Sequence, residues 1–350
     1  MVCVVGKKLN TTITLGSTGI TTPQNAFGAL PIQRDDFETC SKILRRAYEG
    51  GMTFFDTARA YSDSEEKMGL ALSDVRSKIH IATKTMGKTP DEVKDQIETS
   101  LKNLKTDYVD IYQFHCVDQC YSPGDGTGMY EVMEDLKRQG MIRHIGITAH
   151  KIGIAEEAVK SGLYETMQFP FSYLSGQREI DLVNLCKEHN VGFIAMKGLA
   201  GGLITNSKAA YTYMTQFDNV VPIWGIQHMS ELEQWLSFME NSPAYDDQMK
   251  AFIEQDKKSF GYDFCRGCGC CMPCPQGIII NNCARMSQLI RRSPSATWLS
   301  DYWQDAFKKI PNCTGCGACK KKCPYGLDIP NLLKKNYDDY QNILSGKTKV

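Results

Sequence analysis

Short apolar runs and amphipathic stretches alternate through most of this 350-residue chain. Eight apolar runs predict β-strands: Ala26–Leu30, Met52–Asp56, Ile79–Lys84, Tyr108–Phe114, Ile142–Thr148, Thr166–Phe171, Val191–Met196 and Val220–Trp224. Such short runs read as parallel strands covered on both faces. Between them the apolar spacing becomes helical. Phe37, Cys40, Leu44 and Ala47 share one face, as do Val93, Ile97, Leu101 and Leu104. Thr89-Pro90-Asp91-Glu92 predicts a capping box with proline at the first helical position. Eight strand–helix units in series predict a closed (β/α)8 TIM barrel. The rival, an open doubly wound sheet, lacks its Gly-x-Gly-x-x-Gly after the first strand. Residues 9–20, with turn signals at Gly16 and Gly19, predict a hairpin over the bottom of the barrel.

The pattern changes beyond Ser242-Pro243. A helix is predicted over 245–260, and cysteine clusters then flank a stretch in which Leu299, Tyr302, Trp303, Ala306 and Ile310 recur at helical spacing. The reading is two domains, a barrel over 1–244 and a mainly α-helical domain over 245–350. With 40 basic and 40 acidic residues the formal net charge is zero. That balance gives no basic stripe for nucleic acid or an anionic membrane. No apolar run approaches the roughly 18 residues of a membrane span, and the start MVCVVGKKLN has no signal-peptide core. A soluble, cytoplasmic protein is expected.

Cysteine placement adds the first chemistry. Of 15 cysteines, Cys3, Cys40, Cys116, Cys120 and Cys186 are scattered, and the other ten fall between Cys265 and Cys323. An odd count with two-residue gaps argues for metal ligation rather than a disulfide scaffold. Cys265-x2-Cys268-x2-Cys271-x2-Cys274-Pro275 and Cys313-x2-Cys316-x2-Cys319-x3-Cys323-Pro324 have the spacing of two 4Fe-4S clusters. In two-cluster ferredoxins the proline-linked fourth cysteine serves the other cluster. By that rule Cys265, Cys268, Cys271 and Cys323 hold one cluster, and Cys313, Cys316, Cys319 and Cys274 the other. The first motif is one residue short before Cys274, which leaves Cys270 as an alternative ligand. Structural zinc is the competing reading, although zinc sites take cysteines as separated pairs. Largely helical character between Cys274 and Cys313 makes this domain resemble the α-helical ferredoxins.

Active sites of such barrels lie at the C-terminal ends of the strands. Asp56 ends the second predicted strand, with Tyr61 in the loop beyond; Lys84 ends the third, and His115 follows the fourth. FFDTARAY (54–61), IHIATK (79–84) and DYVDIYQFH (107–115) resemble the aldo-keto reductase signature, and the resemblance covers about residues 9–240. The cysteine domain resembles the tail of the iron–sulfur branch of that family. The resemblance implies an oxidoreductase for a small carbonyl or alcohol substrate, with Asp56, Tyr61, Lys84 and His115 catalytic. Lys84 is then expected to lower the phenol's pKa, held by Asp56, while His115 orients the carbonyl and Tyr61 delivers the proton.

The same resemblance implies NADP(H) or NAD(H), held around Thr148, Gln168, Lys197 and Gly225. Thr148-Ala149 stands where the family often has Ser-Asn, and Met196 where it has a stacking aromatic. Glu231 stands about where an arginine commonly pairs with the 2′-phosphate of NADPH, which disfavours that phosphate; Lys197 is either a partial substitute or a solvated or substrate-facing lysine. A flavin is the alternative, since a hydride carries two electrons and a cluster one. The βα loops, chiefly Cys116–Gly128 and Lys197–Ser207, are expected to shape the pocket. Lys320-Lys321-Lys322 is either a docking patch for an acidic ferredoxin or flavodoxin or a solvated face. Three functions stay open: a cluster-linked oxidoreductase, a hydride-transfer reductase with structural clusters, and a non-catalytic redox sensor or electron carrier.

Overall fold

A computed structural model of the protein describes residues 12–260, 264–292 and 295–349. The chain forms two compact units. One takes in the chain through Gly198 together with Tyr211–Ala244; the other takes in Leu199–Ala210 and the chain from Tyr245 onward. The segment 199–210, between the seventh and eighth barrel strands, thus belongs with the cysteine-rich unit.

In the first unit a hairpin of β1 (Thr12–Thr14) and β2 (Thr21–Pro23) precedes eight parallel strands. These are β3 (Ala26–Gly28), β4 (Phe54–Asp56), β5 (His80–Thr85), β6 (Val109–Phe114), β7 (Ile142–Thr148), β8 (Thr166–Pro170), β9 (Gly192–Met196) and β10 (Val220–Gly225). Each lies within two residues of its predicted ends. β10 pairs with β3 through Ile223↔Ala26 and Gly225↔Gly28, closing the barrel.

The outer helices are α1 (Phe37–Glu49), α2 (Ser64–Leu72), α3 (Pro90–Leu104), α4 (Met129–Arg138), α5 (Ile152–Ser161), α6 (Gln177–Glu188), α7 (Ser207–Met214) and α8 (Met229–Glu240). At the start of α3, Thr89 Oγ1 accepts from Glu92 N at 3.3 Å as predicted. The Glu92 carboxylate reaches one residue further back than a capping box requires, accepting from Lys88 N at 2.7 Å.

The hairpin plugs the N-terminal end of the barrel. Ile13, Leu15 and Ile20 are buried with Ala26, Phe54, Ala82, Ile111, Ile194 and Val221. Burial of Ile13, Leu15 and Ile20 contributes about 1.5–3 kcal/mol each. Ser17 N donates to Asn190 O at 2.7 Å, and Gly16 (φ +55°) lies against the backbone of Gly192 with no room for a Cβ. Residues 9–11 of the predicted hairpin, and Cys3, lie outside the described residues. Among the described residues no helix is long and apolar enough to cross a membrane.

The second unit is helical: α9 (Asp247–Phe260), α10 (Ile280–Cys283), α11 (Met286–Arg292), α12 (Ser295–Trp298), α13 (Asp301–Phe307), α14 (Ala318–Lys322) and α15 (Ile329–Leu344). α15 is its spine. Asn336 donates to Ala284 O at 3.2 Å and accepts from Ser287 N at 2.8 Å, satisfying a buried amide while joining α10 and α11 to α15. Tyr340 stacks on Phe307 at 4.1 Å and donates to Trp298 O at 2.9 Å.

Candidate active site and cysteine centre

Four backbone bonds bring the predicted tetrad to one rim. Ala29 N donates to Asp56 O at 2.8 Å, Thr57 N to Ala82 O at 2.8 Å, Arg59 N to Lys84 O at 3.1 Å, and His115 N to Thr85 O at 3.0 Å. At the barrel ends of β4 and β5, the Lys84 ammonium donates to Asp56 Oδ1 and to Thr57 O, both at 2.6 Å. The two side chains are 1% and 2% exposed. Burial pulls the Lys84 pKa down, but the Asp56 carboxylate and then Tyr61 outweigh it and hold it above the ordinary lysine value. The ammonium lies 5.3 Å from the centre of the Tyr61 ring, whose edge meets His115 at a centroid distance of 5.8 Å.

Burial, with Lys84 and then His150 adding, pushes the His115 pKa down to about 3. The imidazole is therefore neutral at physiological pH, and its Nδ1 is buried without a hydrogen-bond partner. For Tyr61 the sequence expectation is corrected. Its pKa is raised, because burial outweighs the pull of Lys84, and Asp56 and Cys116 add to it. The phenol thus keeps its proton at neutral pH.

Of the residues expected around a nicotinamide, Thr148 and Gln168 are buried neighbours across β7 and β8. Thr148 Oγ1 accepts from Cys116 N at 2.6 Å. Gln168 Oε1 accepts from Gln113 Nε2 at 3.0 Å, and its amide also supports Asp56. Lys197 is exposed at φ +58°, close enough to Cys116 and His150 to act on both electrostatically. Gly225 closes on Gly28, where a Cβ would lie 2.9 Å from Trp224 O. Glu231 Oε2 accepts from Gln227 N at 2.8 Å and His228 N at 2.9 Å, so a carboxylate already caps the start of α8.

In the second unit the cysteines of the two motifs lie close to one another, with Cys271 near members of both sets. Cys274, Cys313, Cys316 and Cys319 line one cleft, together with Cys271, Ile278, Ala318 and Leu333. Elsewhere Cys265 is close enough to Cys268 and Cys323 to be raised by their charge, after burial. Burial, then Cys265 and Cys268, push Cys271 up to about 12. Arg266 ties these segments together, its guanidinium 4.8 Å from the Phe264 ring centre and 4.3 Å from that of Tyr325, two residues past Cys323. Thiols gathered around buried guanidinium nitrogens, Arg266 Nε and Arg285 Nε, that lack partners fit a polynuclear group held by thiolates. Among the described residues no three Cys, His, Asp or Glu side chains converge on one single-ion site.

The aldo/keto reductase family model matches residues 13–237. The chain belongs to the aldo/keto reductase family. A 4Fe-4S dicluster domain model matches residues 264–328, the cysteine-rich unit. The chain is 30% identical over 205 residues to an uncharacterized oxidoreductase, YqkF, of Bacillus subtilis, covering 55% of this chain and 65% of that protein. It is also 30% identical over 193 residues to the aldo-keto reductase YhdN of the same organism, covering 51% and 57%. A third relative, the human aflatoxin B1 aldehyde reductase member 4, is 30% identical over 200 residues, covering 52% and 60%. The chain thus spans less than two-thirds of the length of these relatives. The holo form of aldo-keto reductase AKR11C1 from Bacillus halodurans superposes with a TM-score of 0.62 at 21% identity, over 71% of this chain and 96% of that one. The Klebsiella pneumoniae aldo/keto reductase in complex with NADP and acetate gives 0.60 at 19% identity, over 71% and 95%. At these identities the structures establish the fold alone.

Within this member of the family two features escaped sequence reasoning. Gln113, alternating with apolar neighbours on β6, bridges Asp56 Oδ2 at 3.5 Å and Gln168, and a buried amide in an apolar strand was the available signal. Glu65, fully buried, pairs with Arg59 and accepts from Thr83 Oγ1 at 2.7 Å, pinning the Tyr61 loop to β5. The cysteine motifs also share a pattern, Cys-x-Gly-Cys-Gly-x-Cys, with positive φ at Gly267, Gly269, Gly315 and Gly317. It aligns Cys271 with Cys319 and Cys270 with Ala318.

Proposed function

We propose that the barrel interconverts a small carbonyl compound and its alcohol at Tyr61, and that the second unit holds two 4Fe-4S clusters serving that chemistry. The observation that carries the reading is the buried Lys84–Asp56 pair under a phenol that keeps its proton beside a neutral imidazole. In reduction, His115 donates a hydrogen bond to the substrate oxygen and Tyr61 Oη transfers its proton to that oxygen. Lys84 then stabilises the phenolate left behind, and the Asp56–Gln113–Gln168 chain keeps Lys84 in place. Buried strands around the pair exclude water from it.

A nicotinamide, when bound, supplies the hydride; Thr148, Lys197 and Gly225 would hold it, with Gln168 acting from below through Asp56. The carboxylate at the start of α8 repels a 2′-phosphate, so NADH serves at least as well as NADPH. Glu231→Gln is expected to raise the kcat/KM ratio of NADPH to NADH by about fivefold, the effect of one near charge at a solvated site. An unchanged ratio removes Glu231 from cofactor choice.

Cys265, Cys268, Cys271 and Cys323 would hold one cluster, and Cys274, Cys313, Cys316 and Cys319 the other. When bound, the clusters would supply one electron each in place of the hydride; with the Tyr61 proton and a second proton from solvent, these make up the change from carbonyl to alcohol. Cys313 and Cys316 are exposed, as are Lys320, Lys321 and Lys322, which favours an acidic ferredoxin or flavodoxin as the one-electron partner. Anaerobic protein is expected to contain about eight iron and eight sulfide per chain. Cys270→Ser keeps that content and Cys271→Ser halves it. Zinc in place of iron, or the reverse behaviour of the two variants, overturns the assignment. Stopped-flow mixing of dithionite-reduced protein with an aldehyde tests the link: cluster reoxidation coupled to alcohol formation supports it. Reoxidation without alcohol, while NADH drives reduction normally, leaves a plain hydride-transfer reductase.

A further inference from the structure

Arg285 follows the short helix α10, and its guanidinium is turned toward the Cys265–Cys268 loop. Two glycines make room for it. A Cβ on Gly267 would lie 2.6 Å from Arg285 Cζ, and one on Gly201 would lie 3.2 Å from Nη1. Gly201 belongs to the segment 199–210 of the same unit. The Arg285 Nε is buried with no hydrogen-bond partner, and among the described residues no carboxylate pairs with the guanidinium. The nearby groups acting on its charge are Cys265 and Cys268. A half-buried, permanently charged guanidinium whose Nε is shut away from water without a partner is costly, so the geometry calls for an anion at those two sulfurs.

We propose that Arg285 is the counter-charge of the cluster held by Cys265, Cys268, Cys271 and Cys323, and sets its reduction potential. The inference rests on the two-cluster reading above. A 4Fe-4S cube with four thiolates has a net charge of −2 when oxidised, and one added electron makes it −3. A fixed positive charge stabilises the trianion more than the dianion, so it favours reduction. The effect is large where water is excluded: Cys265 and Cys271 are buried, whereas Cys313 and Cys316 of the second set are exposed. Arg266, on the loop itself, is held over the Phe264 and Tyr325 rings.

The test is an anaerobic dithionite titration followed by electron paramagnetic resonance, with Cys316→Ser used to assign the exposed cluster's signal. Arg285→Gln is expected to make reduction of the buried cluster about tenfold less favourable, which is about 59 mV for one electron. The exposed cluster should stay within about twofold, and Arg285→Lys, which keeps the charge, within about threefold of the native value. Equal potentials in native and Arg285→Gln proteins of full iron content overturn the proposal, as does the same shift in both clusters. Where Arg285→Gln fails to load iron, Arg285→Lys decides: a native-like potential supports the proposal and a tenfold shift overturns it. Native protein lacking iron sinks the two-cluster reading itself, an outcome seen before any variant is compared.

Discussion

Tyr61→Phe is expected to lower carbonyl reduction by about 10²–10⁴-fold, the usual worth of a positioned general acid. The substitution removes only the hydroxyl. The ring that packs 5.3 Å from the Lys84 ammonium and edge-on to His115 remains, so thermal stability and iron content should stay native. The direction of the reaction also matters. Burial raises the Tyr61 pKa despite Lys84, so the acid is available throughout the neutral range, while alcohol oxidation, which needs phenolate, should climb with pH up to and beyond the ordinary tyrosine value of about 10. His115 adds no step near pH 6.5, because its pKa is pushed down to about 3. Steady-state rates in both directions from pH 6 to 10 check these outcomes. Turnover in Tyr61→Phe within about threefold of native would remove the phenol from the chemistry.

Lys84→Met carries the second large effect, on stability as well as activity. It leaves the Asp56 carboxylate 2% exposed, with only the Gln113 and Gln168 amides beside it. Removing one partner of a buried pair typically costs about 3–5 kcal/mol, because the other charge stays behind. Adding Asp56→Asn to Lys84→Met should recover most of that loss, since the new amide is neutral and finds the same two glutamines. Asp56→Asn alone should cost less than Lys84→Met, because the stranded ammonium still donates to Thr57 O at 2.6 Å. Chemical unfolding of the four proteins in a double-mutant cycle gives the coupling directly. A cost below about 1 kcal/mol for Lys84→Met would mean that water or a shift of Asp56 replaces the lysine.

Much of this was legible in the chain. The eight barrel strands stand where the apolar runs are, because a strand buried on both faces has no alternation to blur its limits. Asp56, Lys84 and His115 were readable as strand-end residues, since consecutive strands of a barrel present their C-terminal ends to one rim. The two cysteine motifs were readable from their spacing, and the repeated glycines of Cys-x-Gly-Cys-Gly-x-Cys align Cys271 with Cys319. Gln113 and Glu65 were harder. A polar residue inside an apolar run looks alike whether it supports a catalytic lysine or merely satisfies a backbone group. The assignment of residues 199–210 to the cysteine-rich unit has no local signature at all.

Local order alone therefore determined the strands, the helix caps and the thiol spacing, because each depends on neighbours within a few residues. Tertiary structure alone decided the sign of the Tyr61 shift, the occupation of the α8 start by Glu231, and the placing of Arg285 against Cys265. Desolvation and through-space charge are set by groups distant in the chain. Lys84 and Asp56 are 28 residues apart, and the buried environment that lets them outweigh bulk water exists only once the barrel has closed.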